Sequence, residues 1–331
     1  MRYQSVRGRN LSAMTLGTVQ LGLNYGIANN EGKPSREKSF LMLRAALEAG
    51  ITSLDTASAY GDSEIVLGDF LQQQWRGSLP VLTTKCKLES PEGSPASVIE
   101  KELTENVEAS LERLGMRSVE YLLLHQASDM VRYGDIVPKT LKRLVQKGYF
   151  TTPGVSVYYA NEIECMLQNA TYCAVQLPMG VLDQRLVHGG YLERLKQHGV
   201  DVFVRSVFQQ GLCFMQPDAM EEDLRRCAGE PLQKLSEFAK RAQMSVAQFA
   251  VSFIRDLPGV TSLVLGADNP AQIKENVALL DGPEIPDDLM KQTLCAFETI
   301  DYEGIMAVLR KAKPQSANQS EPSSRIRSGG K

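Results

Sequence analysis

Asp55 and Tyr60 share the segment Asp55-Thr-Ala-Ser-Ala-Tyr60-Gly-Asp-Ser-Glu64, which follows the apolar run Ile51-Thr-Ser-Leu54. Lys85 closes a second such run, Val81-Leu-Thr-Thr-Lys85, and His125 a third, Tyr121-Leu-Leu-Leu-His125. Strands lying side by side would bring a carboxylate, a phenol, an ammonium and an imidazole to one place. Those four groups suit proton transfer at an oxygen. A phenol alone is too weak an acid to protonate a carbonyl near neutral pH, and a neighbouring ammonium lowers its pKa. An aspartate paired with the lysine keeps it charged and positioned. A histidine beside the tyrosine can hydrogen-bond the substrate oxygen. Such a site gives or takes a proton while something else moves a hydride. Singly, each residue reads more simply as a strand-end cap or surface group; the coincidence of four in one register is what points to chemistry.

The elements that must position these residues alternate along the chain. Strand-like runs fall at Ser12–Gly17, 51–55, 81–85, 121–125, Gly154–Ser156, Cys173–Leu177, Val200–Ser206 and Thr261–Leu265. Helical patterns lie between them: one capped by Ser35 and stopped at Gly50, and one starting near Asp62 with Glu64 in its first turn, where a carboxylate suits the dipole. Another carries Ile99, Leu103, Val107, Leu111 and Leu114 on one stripe and ends at Gly115. Further helical patterns follow near 138–147, 163–167, 191–198, 231–255 and 270–280. Strands separated by helices run parallel, and eight such units predict a closed (β/α)8 barrel of one domain over 1–312. An open doubly wound sheet is disfavoured because no Gly-x-Gly-x-x-Gly follows the first strand. Residues 313–331 are polar, with almost nothing to bury, and predict a disordered tail.

Composition narrows the function classes. The 331 residues are 43% hydrophobic and 23% charged, with a formal net charge of −3. That balance gives no footprint for nucleic acid, and no apolar run is long enough to span a membrane. The polar start lacks a secretory apolar segment, and six scattered cysteines without a Cys-x-x-Cys pair suit reduced thiols, so a cytoplasmic protein is expected. Three histidines without clustered ligands argue against a metal site and against a metal-dependent hydrolase built on Asp55 and His125.

The order and spacing of Asp55-Thr-Ala-x-x-Tyr60-Gly-x-Ser-Glu64, Lys85 and His125 resemble the four catalytic positions of the aldo-keto reductases. The resemblance runs from Leu16-Gly-Thr18 to Glu275-Asn276. It implies Tyr60 as general acid in reduction and base in oxidation, Lys85 and Asp55 as its tuning pair, and His125 as the group orienting the carbonyl. It also implies nicotinamide cofactor contacts at Gly17, Thr18, Asp55, Ser156, Gln176, Arg205, Ser206, Val207, Gly211, Gly266, Gln272, Glu275 and Asn276. Substrate contacts fall at Val19, Asn24, Tyr25, Tyr60 and His125.

The chain departs from the family pattern in places. Val157 stands where an asparagine is usual, and Met179-Gly180 where Tyr-Asn is frequent. Gly266 and Gln272, with Asp268 nearby, stand where many members carry cations for the 2′-phosphate. Branches with this pattern nevertheless use NADP, so NADP(H) is favoured over NAD(H). Asn24, Tyr25, Arg185 and His188 give a polar mouth, which favours a hydroxylated substrate such as a sugar over an alkyl aldehyde. The alternative is a barrel that binds NADP(H) and senses redox state for a partner, with little turnover.

Overall fold

A computed structural model describes residues 1–25 and 32–311. The expected tail, and part of the loop between Gly22 and Pro34, lie outside the described residues. Ten strands are described: β1 (Tyr3–Val6), β2 (Arg9–Ser12), β3 (Met14–Gly17), β4 (Ser53–Asp55), β5 (Val81–Cys86), β6 (Val119–Leu124), β7 (Phe150–Ser156), β8 (Ala174–Pro178), β9 (Asp201–Arg205) and β10 (Ser262–Leu265). Strands β3 to β10 close into a barrel in chain order, with β10 returning to β3. Every neighbouring pair in it is parallel. This is the (β/α)8 architecture expected from the alternation of elements.

Period two decides what each strand shows to the barrel interior. On β3, Met14 and Leu16 join the large apolar layer beneath the helices, and Thr15 and Gly17 turn inward. The Thr15 hydroxyl lies 2.5 Å from that of Ser53 and 2.8 Å from that of Ser262, so three strands share one buried polar layer. Above that layer, Gly17 aligns with Asp55, and Ser156 with Gln176. The same alternation puts Lys85, His125, Arg205 and Gly266 at the inward-facing carboxyl-terminal rim, so that each of the eight strands delivers one expected site residue there.

Helix ends follow local chemistry. Ser35 accepts from the Lys38 N–H to cap helix Arg36–Glu48, and Asn269 accepts from the Gln272 N–H to cap helix Pro270–Leu280. Helix Ala96–Leu114 ends at Gly115, whose φ of 62° is the left-handed conformation that closes a helix.

Three features differ from the sequence reading. The antiparallel hairpin β1–β2 is not announced by its polar sequence. Its Val6 and Leu11 pack against Val81, Tyr121, Leu123, Ala174 and Phe203 to close the barrel floor. The helical stretch expected over 231–255 is two helices, Glu222–Arg241 with Pro231 inside it and Val246–Arg255. Gln243 between them has a φ of 57°, and Ser245 caps the second by accepting from the Gln248 N–H. After the barrel, helices Asp287–Phe297 and Tyr302–Lys311 pack against Glu222–Arg241. No helix among the described residues is long and apolar enough to cross a membrane.

Candidate active site

Backbone pairing builds the site before any side chain enters. The Thr56 N–H donates to the Thr83 carbonyl at 2.8 Å and that of Ser58 to the Lys85 carbonyl at 3.0 Å, laying the loop after β4 across β5. The Tyr60 N–H donates to the Ala57 carbonyl, and the Tyr60 carbonyl accepts from the Ser63 N–H, so the phenol stands on a tight double turn. The Thr18 hydroxyl donates to the Asp55 carbonyl at 2.9 Å, and the Ser63 hydroxyl lies 2.8 Å from that of Thr18, tying the loops after β3 and β4 together.

On this frame the four expected residues meet. The Lys85 ammonium donates to Asp55 Oδ2 at 2.6 Å, to the Thr56 carbonyl at 3.0 Å and to the Tyr60 hydroxyl at 3.3 Å. His125 lies one residue past β6, its N–H bonded to the Cys86 carbonyl at 2.7 Å, with its ring edge-on to Tyr60. Lys85 and Asp55 are buried, while Tyr60 and His125 are partly exposed at the rim.

The electrostatics differ from the sequence expectation at Tyr60. Its pKa lies above the ordinary phenol value: burial and the Asp55 charge raise it, and Lys85 and Arg205 offset only part of that rise. The phenol therefore keeps its proton rather than being poised as phenolate. Burial pulls the Lys85 ammonium down, but Asp55 and Tyr60 together outweigh it, and it stays protonated. His125 is pushed down to about 3, by burial first and then by Lys85, Arg205 and Lys87, so the imidazole is neutral. Its Nδ1 is buried without a hydrogen-bond partner among the described residues. The arrangement can thus donate a proton from Tyr60 to an oxygen beside a neutral imidazole, with a fixed cation behind.

Around these four, the rim has features that suit an anionic, aromatic cofactor. Positive φ at Ser206 (62°), Gln209 (50°), Gln210 (57°) and Gly211 (91°) folds the backbone after β9 into a tight turn, closed by the Gln209 N–H on the Ser206 carbonyl and the Gly211 N–H on the Phe208 carbonyl. Gln20 Oε1 and Gln209 Nε2 are buried without a hydrogen-bond partner among the described residues. Arg205 is stacked 4.1 Å over the ring of Tyr158 and touches the Val157 carbonyl and the Ser206 hydroxyl, both at 3.4 Å. Ser156 is buried, in register with Gln176. The Val207 side chain is buried, so only its backbone can meet a ligand. At the β10 end, Gln272 Oε1 accepts from the Asp268 N–H at 2.7 Å and the Asn276 amide donates to the Gly266 carbonyl at 3.2 Å, shaping the loop between them. Glu275 is exposed on the same helix.

Other expected residues have protein partners or lie at the edge of the site. Gln176 donates to Asp55 Oδ1 at 2.8 Å. Arg185 is engaged by Asp183 and Glu303, and His188 by Gln184. Val19 is half-buried at the rim; Asn24 and Tyr25 are exposed beside the residues not described. Glu64 is buried, bonded to the Arg113 guanidinium at 2.7 Å and to the Thr84 hydroxyl, which makes it a tie between elements rather than a first-turn charge alone. Among the described residues no cluster of three or more His, Cys, Asp or Glu could hold a metal.

Comparison with known proteins gives a consistent family. The model of the "Aldo/keto reductase family" matches residues 13–293. The chain is 26% identical over 313 residues to the L-glyceraldehyde 3-phosphate reductase of Escherichia coli strain K12, covering 85% of this chain and 87% of that one. It is 29% identical to a putative voltage-gated potassium channel subunit beta of Schizosaccharomyces pombe, with 85% and 88% covered. An aldo/keto reductase from Klebsiella pneumoniae, solved with NADP and acetate, superposes with a TM-score of 0.65 at 19% identity, covering 89% of this chain and 96% of that one.

Proposed function

This chain belongs to the aldo/keto reductase family, and from that premise we propose that it interconverts a carbonyl and an alcohol with NADP(H), Tyr60 being the general acid and base. The observation that carries the reading is the Tyr60 hydroxyl 3.3 Å from a buried Lys85 ammonium, beside a neutral His125. When bound, the nicotinamide supplies or accepts the hydride at the carbonyl carbon. In reduction the electron pair of the C=O bond moves onto oxygen, and Tyr60 gives its hydroxyl proton to that oxygen. Lys85 stabilises the phenolate left behind, and Asp55 holds Lys85 in place. His125 offers a neutral hydrogen bond that orients the carbonyl oxygen. In oxidation the phenolate takes the proton back.

The Ser206–Gly211 backbone, Arg205 and the loop from Gly266 to Asn276 are the groups we assign to the dinucleotide, with Gly17 and Thr18 behind its nicotinamide end. The relative solved with NADP supports the choice of NADP(H) over NAD(H). A relative named for a sugar-phosphate aldehyde supports a small hydroxylated carbonyl as the substrate class. A nicotinamide-binding module with little turnover is the second reading, favoured by the channel-subunit relative; the complete set of Asp55, Tyr60, Lys85 and His125 weighs for chemistry. The test is Tyr60→Phe. Reduction of DL-glyceraldehyde with NADPH should fall about 100-fold or more, while NADPH binding, followed by nicotinamide fluorescence, stays unchanged. A variant that keeps its rate refutes the assignment.

A further inference from the structure

Asp55 uses both carboxylate oxygens. Oδ2 takes the Lys85 ammonium at 2.6 Å, and Oδ1 takes the Gln176 amide at 2.8 Å. Gln176 reaches from β8 to β4 across the barrel interior, and both side chains are almost wholly buried. Neither end can drift. The Asp55 carbonyl is held by the Thr18 N–H and hydroxyl, and the Gln176 carbonyl accepts from the Val157 N–H at 2.8 Å. An ionised carboxylate only accepts, so the amide nitrogen must be the atom that faces it.

We propose that Gln176 is a positioning residue of the proton relay, holding Asp55 so that its charge is shared between the amide and Lys85. This rests on Tyr60 being the acid and base. The amide nitrogen carries a second proton, so a cofactor contact can coexist with the Asp55 contact, which the fold makes by itself. Without the amide, more of the Asp55 charge falls on Lys85. The field of Lys85 at Tyr60 is then more fully cancelled, and the phenol ionises less readily.

The consequence is readable in alcohol oxidation, which needs Tyr60 as phenolate and is lost as pH falls through the phenol pKa. The experiment measures NADP⁺-dependent oxidation of glycerol against pH, with NADPH binding by fluorescence, for the wild type, Gln176→Met, Gln176→Glu and Tyr60→Phe. The acid limb should move up by about half a pH unit in Gln176→Met, and further in Gln176→Glu, which sets a second carboxylate against Asp55. NADPH binding is followed in parallel, and the limb should move whether or not affinity changes. An unmoved limb with NADPH affinity weakened tenfold or more would make Gln176 a cofactor contact alone and overturn the proposal. A limb that vanishes in Tyr60→Phe but stays put in both Gln176 variants overturns the proposal and leaves Tyr60 as the acid. A limb that persists in Tyr60→Phe overturns both.

Discussion

Tyr60 and His125 meet edge to face, with ring centroids 5.6 Å apart and planes at 85°. The contact sets the imidazole against the phenol, and Lys85, Arg205 and Lys87 oppose any charge on it. Burial above all pushes its pKa down to about 3, so His125 is neutral near neutral pH. The pH profile of kcat/KM for reduction should therefore be flat from about pH 5 to 8, with no step near the ordinary histidine value. The rate should fall only as Tyr60 loses its proton, above the ordinary tyrosine value. An acid limb near 6.5 that disappears in His125→Gln would contradict this.

Lys85 and Asp55 form an ion pair with side chains 0% and 4% exposed. Removing one partner leaves a buried charge without its counterion, which costs about 3–5 kcal/mol, whereas removing both costs far less. Lys85→Met should accordingly unfold at clearly lower urea concentration, and Asp55→Asn combined with it should recover most of the loss. Neither variant should regain turnover, because the cation behind Tyr60 is gone from both. Urea titration and a glyceraldehyde reduction assay on the single and double variants check the two halves separately.

The barrel and the four catalytic candidates are legible in the sequence for one reason. Each strand is a short apolar run, and each site residue sits at the run's end, so strand and site are written together. Gln176 is legible as a rim residue but not as the partner of Asp55, since 121 positions separate them and only barrel closure joins them. The hairpin β1–β2 buries only Val6, Leu11 and Ser12, too little for an alternating pattern to stand out. The direction of the Tyr60 pKa was hidden for a different reason. Sequence names the cation nearby, but burial, which outweighs it, is a property of the packed site.

Gly22 lets the two loops that frame Tyr60 touch. A Cβ there would stand 1.7 Å from the Tyr60 carbonyl and 2.7 Å from the Ser63 nitrogen, both backbone atoms that cannot swing aside. Gly22→Ala must push the turn at Tyr60 away from the short helix Val19–Gly22. We expect a stability loss of about 1–3 kcal/mol together with a large fall in kcat, because the hydroxyl leaves its place beside Lys85. Thermal melts and single-turnover rates measure the two effects. An alanine variant with wild-type turnover would show that this approach does not govern the position of Tyr60.

Asp129 is wholly buried behind the loops that follow β5 and β6, and its Oδ1 has no hydrogen-bond partner among the described residues. Among the described residues its Oδ2 takes only the Leu88 N–H, at a long 3.5 Å. Burial pushes the carboxyl up to about 7, with Leu88, Arg132 and Lys87 too weak to reverse it and Glu102 adding to it. The sign follows from linkage. Unfolded, the group ionises near its ordinary value of 3.8; folded, it holds its proton up to about 7. Stability that it contributes at low pH is lost as pH rises through that window, at up to about 1.4 kcal/mol per pH unit. Asp129→Asn has no proton to lose. Its Tm should match the wild type near pH 4 and exceed it increasingly up to about pH 7, and a Tm difference that stays constant across that range would show that the carboxyl does not titrate there.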